Sequence, residues 1–189
     1  MHYFRIMIKP AAGILLIADP FLKDPHFMRT VVFLCDHQNN GTVGFVLSKV
    51  IEQTLEELMN NMEDYPVPVY FGGPVQLDTI HFIHQYPDLI PDRFKVGEGI
   101  YWGGNFETVT SLIKAKQIDL SKIKFFLGYS GWGDGQLEAE LKEKSWITAT
   151  ATSSLVFETD PTDIWKESLK HLGGDYEKLV HYPSDPQLN

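Results

Sequence analysis

Gly128-Tyr129-Ser130-Gly131 follows the apolar run IKFF and precedes an alternation of leucine with acidic residues. A serine framed by glycines on a strand–turn–helix is what a nucleophile elbow requires, because the sharp turn lifts the hydroxyl clear of the backbone. The elbow also needs a small fifth residue, so that the helix can pass close to the strand. Here that residue is Trp132, and the helix is expected to start near Asp134-Gly135 and not directly after the serine. His171 and His181 lie downstream in an order a triad would accept, but order alone carries no chemistry. Gly128, Gly131, Gly133 and Gly135 ahead of a helix could instead cradle an anion on free N–H groups. Neither phosphate-loop spacing is present, no lysine follows, and Asp134, Glu138 and Glu140 bring charge of the wrong sign. The stretch is therefore expected to be a structural corner. Its glycines turn the chain, Tyr129 and Trp132 pack, Asp134 caps the helix, and Leu137 and Leu141 face the core.

Metal chemistry fares no better. Cys35 and His37 are two apart at a strand end, with no third ligand near in sequence. His81 and His84 are three apart in a strand-like run, so the two-residue period sends them to opposite faces. None of the seven histidines stands in a zinc-binding spacing. No metal and no cofactor is expected. Asp19 and Asp24 sit beside prolines, where turn and cap roles account for them more simply than acid–base catalysis does.

The elements that would position these groups are short. Strands are expected at 13–18, 31–35, 42–48, 66–73, 79–84, 94–102 (a short pair), 123–128, 145–151 and 154–157. A capping box, Thr54 with Glu57, opens a helix carrying Leu55, Leu58, Met59 and Met62 at helical spacing. Asn105 caps a second helix with Phe106, Val109, Leu112 and Ile113. Asp160-Pro161 is read as the start of a third, ended by Gly173-Gly174. Many strands are joined by turns too short for parallel crossovers, the Asn40-Gly41 hairpin among them. That points to an α+β fold with a mixed sheet, formed by residues 1–189 as one domain, with a seam near 86–104 if the chain has two lobes.

The bulk properties narrow the partners. With 16 basic against 25 acidic residues the net charge is -9, whereas nucleic-acid binders present a basic face. The only adjacent helices that could form a helix-turn-helix are 161–172 and 175–180, and the second is short, acidic and cut off by Pro183. One cysteine excludes an internal disulfide and suits a reducing compartment. The leader MHYFRIMIK and AAGILLIA look like a charged segment and a short apolar one, but Asp19-Pro20 follows at once without a cleavage site. A cytoplasmic protein with no membrane span is expected.

Taken in order, LIADPFLKDPHFMRTVVFLCDHQNNGTVGFVLSK, FGGPVQLDTIHFIH, GYSGWGDGQLEAEL and SWITATA resemble the motifs of the YqgE/AlgH family of bacterial proteins, over roughly 13–172. Members are often labelled transcriptional regulators, a label tied to alginate control in one branch. The resemblance implies a branched mixed sheet with a small closed barrel, surrounded by helices. It implies no catalytic residues, and the family commonly has alanine where Ser130 stands. Three functions remain to be weighed: a non-enzymatic regulator acting through protein contacts, which is the leading expectation; a direct DNA-binding regulator, which the charge disfavours; and a small-molecule binder or enzyme whose pocket forms only in three dimensions. For the last, the candidate residues are Asp19, Arg29, His37, Tyr129, Trp132 and Gln136. The oligomeric state and the partner are not legible in the sequence.

Overall fold

The computed structural model describes residues 8–60, 62 and 64–184. Most of the leader MHYFRIMIK and the end of the C-terminal tail lie outside these residues. The core begins with three apolar strands, β1 (Ile14–Ala18), β2 (Val31–Gln38) and β3 (Gly41–Val46), paired antiparallel, with β2 and β3 joined by the expected hairpin. β10 (Trp146–Thr150) adds to the free edge of β1. On the other side β3 meets β9 (Ile123–Gly133), which organises the rest.

β9 is forked. Its first half pairs parallel with β5 (Pro68–Phe71) on one edge and antiparallel with β6 (Val75–His84) on the other. Its second half pairs with β3, in the register Thr42 to Trp132 and Gly44 to Ser130. β5 therefore leaves the β9 ladder where β3 enters it. At that crossing a Cβ on Gly72 would lie 2.3 Å from the Gly128 carbonyl oxygen, and one on Gly73 2.2 Å from that of Tyr129. Only glycine lets the three backbones pass. The outer strands are β4 (Val50–Thr54) beside β5, and β8 (Ile100–Trp102) and β7 (Phe94–Gly97) beyond β6.

The result is an α+β fold with a curled, branched, mostly antiparallel sheet. Its main path runs from β10 to β7. Among the described residues no pairing joins those two ends, so the small closed barrel implied by the resemblance is not present as a closed ladder. β7 reaches the first core through buried Val96, by side-chain packing. That first core lies on β1, β2, β3 and β10 with Trp165 and Leu169 of a C-terminal helix. A second, built on Phe82 and Phe125, takes Val109 and Ile113 from α2 (Phe106–Lys114).

Several local expectations are corrected. LGYSGWG is not a corner: the strand continues to Gly133, because β3 supplies ladder partners along the glycine-rich stretch. The chain turns only at Asp134-Gly135, and Gly135, at φ 69, is the N-cap of α3 (Gln136–Lys142) where Asp134 was expected. The capping-box helix, α1 (Leu55–Leu58), is a single turn. Its Leu55 N–H bonds the Val67 carbonyl, and Met59 is already extended, which leads Met62 into the second core. SLVF is a π-helical turn, Ser154–Glu158, since Leu155, Val156 and Phe157 are all buried and a strand would turn one of them outward. Asp160 and Pro161 form a turn ahead of α4 (Ile164–Leu172), whose N-cap is Asp163. α5 (Asp175–Lys178) is one turn long. Among the described residues no helix is long and apolar enough to cross a membrane.

Candidate functional site

The GYSGWGDGQLEAEL motif folds into a polar knot that runs from two buried indoles to the exposed start of a helix. The register puts His37, Thr42 and Trp132 side by side on three adjacent strands. His37 Nδ1 lies 2.6 Å from Thr42 Oγ1, and its Nε2 lies 3.5 Å from Glu138. Trp132 Nε1 donates to Glu140 Oε2 at 2.8 Å, and Trp146 Nε1 donates to the same oxygen at 2.7 Å. Gln136 donates to Glu140 Oε1 and accepts the Gly133 N–H, which locks the start of α3 onto the strand end. Phe27 packs against both indoles. These bonds fix α3 to the sheet.

The other chemical groups of the motif region are likewise committed. Ser130 is fully buried and its hydroxyl donates to the Gly72 carbonyl at 3.0 Å, so it closes the fork, and among the described residues no histidine hydrogen-bonds to it. Tyr129 is one residue off the Trp132 alternation, and its ring meets His81 edge-on at 5.8 Å. His84 is buried, bonded to the Gly103 carbonyl and stacked on Tyr101. Burial lowers the pKa of both His81 and His84. Cys35 is enclosed in the first core, where burial and neighbouring Asp36 raise its pKa well above that of a free thiol. Among the described residues no group of three or more His, Cys, Asp or Glu could hold a metal ion.

The surface is different where the chain leaves β1. Asp19 makes a tight turn there, with Oδ1 accepting the Phe21 N–H. Arg29, in the left-handed region at φ 56, lays its guanidinium over the Trp165 ring at 4.2 Å. Trp165 is itself fixed by donation to the Ala18 carbonyl at 2.8 Å. One terminal nitrogen of Arg29 donates to the Tyr182 carbonyl at 2.6 Å, while the buried Nε has no acceptor among the described residues. Burial pulls the guanidinium pKa down, but an arginine remains charged at neutral pH. A cleft of about 390 Å³ opens beside it, lined also by Thr162, Lys166 and Ser184. Arg29, Pro183 and Ser184 are shared with a neighbouring apolar shelf of Pro20, Phe21 and Met28. Phe21 is 59% exposed and leans edge-on against Tyr182.

The six candidates thus do not line one pocket. His37, Trp132 and Gln136 meet in the knot, Tyr129 goes to His81, and Arg29 sits in the cleft with Asp19 in the turn that leads to the shelf. Trp165, Lys166 and Tyr182 complete the cleft and were not singled out in the sequence. Nothing in the spacing of Trp165 announces a partner so far back in the chain.

Comparison with known proteins agrees with this architecture. The family model DUF179, described as AlgH-like, matches residues 15–177. A UPF0301 protein of Chlorobaculum tepidum is 40% identical over 97% of this chain and 97% of its own. One from Chlorobium luteolum is 40% identical over the whole of both. Among solved structures, the solution structure of the AlgH protein from Pseudomonas aeruginosa has a TM-score of 0.71 at 28% identity, covering 94% of this chain and 98% of that one. The crystal structure of protein DIP2367 from Corynebacterium diphtheriae has a TM-score of 0.79 at 21% identity, over 93% and 94%, and shares the fold.

Proposed function

The chain belongs to the AlgH-like family, and from that premise we propose that it is a non-enzymatic cytoplasmic regulator acting through protein contacts. Its docking face is the shelf of Phe21 and Met28 together with the Arg29 cleft. One observation carries the reading: the motif's chemical groups are bonded to one another inside the knot, while exposed apolar side chains gather around a half-buried arginine. A catalytic set would leave a nucleophile or base facing a cavity, and Ser130, His37 and Gln136 do not. Direct DNA binding finds little support either. α5, where a recognition helix would be, is one turn with Asp175 and Glu177 in it, and base readout needs a longer, basic helix.

Quantitative affinity capture from a cell extract tests the proposal, with a Phe21→Ser, Met28→Ser double variant beside the unaltered chain. The expected result is a polypeptide captured in stoichiometric amount and lost with the double variant, whose thermal midpoint stays unchanged. Equal capture by both, or tight binding of labelled duplex DNA that weakens steeply with salt, would contradict it.

A further inference from the structure

We propose that the Arg29 cleft recognises an acidic peptide segment, one that places an aspartate or glutamate carboxylate on Arg29 and an adjacent apolar side chain on the Phe21–Met28 shelf. This rests on the docking reading above and names the chemistry of the partner. Charge is the first argument. In a chain of net charge -9, the cleft is lined by Arg29 and Lys166 and the shelf by Lys23, and among the described residues no aspartate or glutamate lines either. The charged residues that line the two surfaces are all basic, and complementarity of this kind favours an anionic partner.

Geometry is the second argument. Trp165, pinned by the Ala18 carbonyl, holds a fixed ring surface against the guanidinium, so part of the ordering cost of the arginine is met before binding. Among the described residues one of its donors is bound, to the Tyr182 carbonyl, and no carboxylate pairs with it. A planar fork with spare donors suits a carboxylate in bidentate fashion. The left-handed φ of Arg29 is a conformation that costs a non-glycine residue, and here it carries the side chain onto Trp165. The continuity of the two clefts is the third argument. Because Arg29, Pro183 and Ser184 border both, a ligand that fills the cationic cleft meets Phe21 and Met28 at once. That pairing of charge with an apolar neighbour fits a peptide better than a bare anion.

Titration of the full chain with acetyl-Gly-Leu-Asp-Phe-Gly-amide, its Asn counterpart and inorganic phosphate tests the inference, followed by calorimetry and by the indole N–H resonance of Trp165. The Asp peptide is expected to bind and to move that resonance. The Asn peptide should bind about tenfold more weakly, the loss expected for one charge-assisted contact of about 1.4 kcal/mol. Arg29→Gln should abolish the difference between the two peptides, and Lys166→Gln, at an exposed position that cannot unfold the core, should reduce it. Equal affinity for the Asp and Asn peptides overturns the inference, as does phosphate binding without peptide binding, which would make the cleft a small-anion site. A dimer in solution that Arg29→Gln dissolves would also overturn it, by assigning the face to a second copy. If affinity capture finds a partner whose binding ignores Arg29→Gln and Lys166→Gln, the acidic-peptide inference fails while the contact function stands. If no partner is captured at all, the contact function itself fails.

Discussion

The Arg29 guanidinium lies 4.2 Å from the centre of the Trp165 ring, one in the segment after β1 and the other in α4, and so ties that segment to the helix. This contact joins the two parts of the docking face. Replacing Arg29 by glutamine should cost about 1 kcal/mol of stability, the range of a partly desolvated cation–π pair. Lysine should recover part of it, since it keeps the charge but loses the planar fork. Urea unfolding of the two variants measures this, and a loss above about 3 kcal/mol would mean that Arg29 is a core residue first.

Glu140 should be a stability residue. Its carboxylate accepts both the Trp132 and Trp146 N–H groups, so Glu140→Ala leaves two buried donors unsatisfied, at about 1–3 kcal/mol each. Glu138→Ala, by contrast, removes a partner that is 54% exposed and should change stability by less than about 0.5 kcal/mol. Near-ultraviolet circular dichroism during unfolding reads the two indoles directly.

The fork predicts a contrast between glycines. Gly73→Ala drives a methyl into the Tyr129 carbonyl, which should prevent folding or cost more than about 3 kcal/mol. Gly133→Ala meets nothing within 4 Å and should fall within about 0.5 kcal/mol of the unaltered chain. Thermal midpoints of the two proteins decide it.

Lys124 should give stability an alkaline dependence. It is buried, its ammonium lies over the Tyr70 ring at 4.6 Å, and desolvation lowers its pKa to about 8 from 10.5, against the pull of Asp160. The folded state therefore releases this proton before the unfolded state does. Between about pH 8 and pH 10.5 the unfolded chain binds more protons, so stability rises with pH across that window. Below it the burial penalty is present in full. The rise is at most roughly 1.4 kcal/mol per pH unit. Urea titrations at several pH values should show it in the unaltered chain and not in Lys124→Met.

Much of the fold was legible because apolar runs such as ILLIA, VVFLC and IKFF have one buried solution each, and most expected strands are present. What misled were local signals that the tertiary structure outvotes. The glycines of GYSGWG suggest a turn until β3 is there to pair with them. SLVF suggests a strand until all three apolar side chains must point inward together. Glu57 does accept the Thr54 N–H at the helix start, but this cap fixes only where the helix begins, and Met59 leaves it to bring Met62 to the second core. Of the cleft residues, Arg29 was named from the sequence, whereas Asp19 lies in the turn outside the lining, and Trp165 and Tyr182 reach Arg29 only through the folding of α4 and the C-terminal segment against the segment after β1.

The most direct test of the docking face is photo-crosslinking in living cells, with a benzoylphenylalanine in place of Met28 or, outside both clefts, of exposed Leu120. The account predicts one defined protein adduct from position 28, weakened when Arg29→Gln is added, and none from position 120. Equal adducts from both positions, or none from position 28, would contradict it.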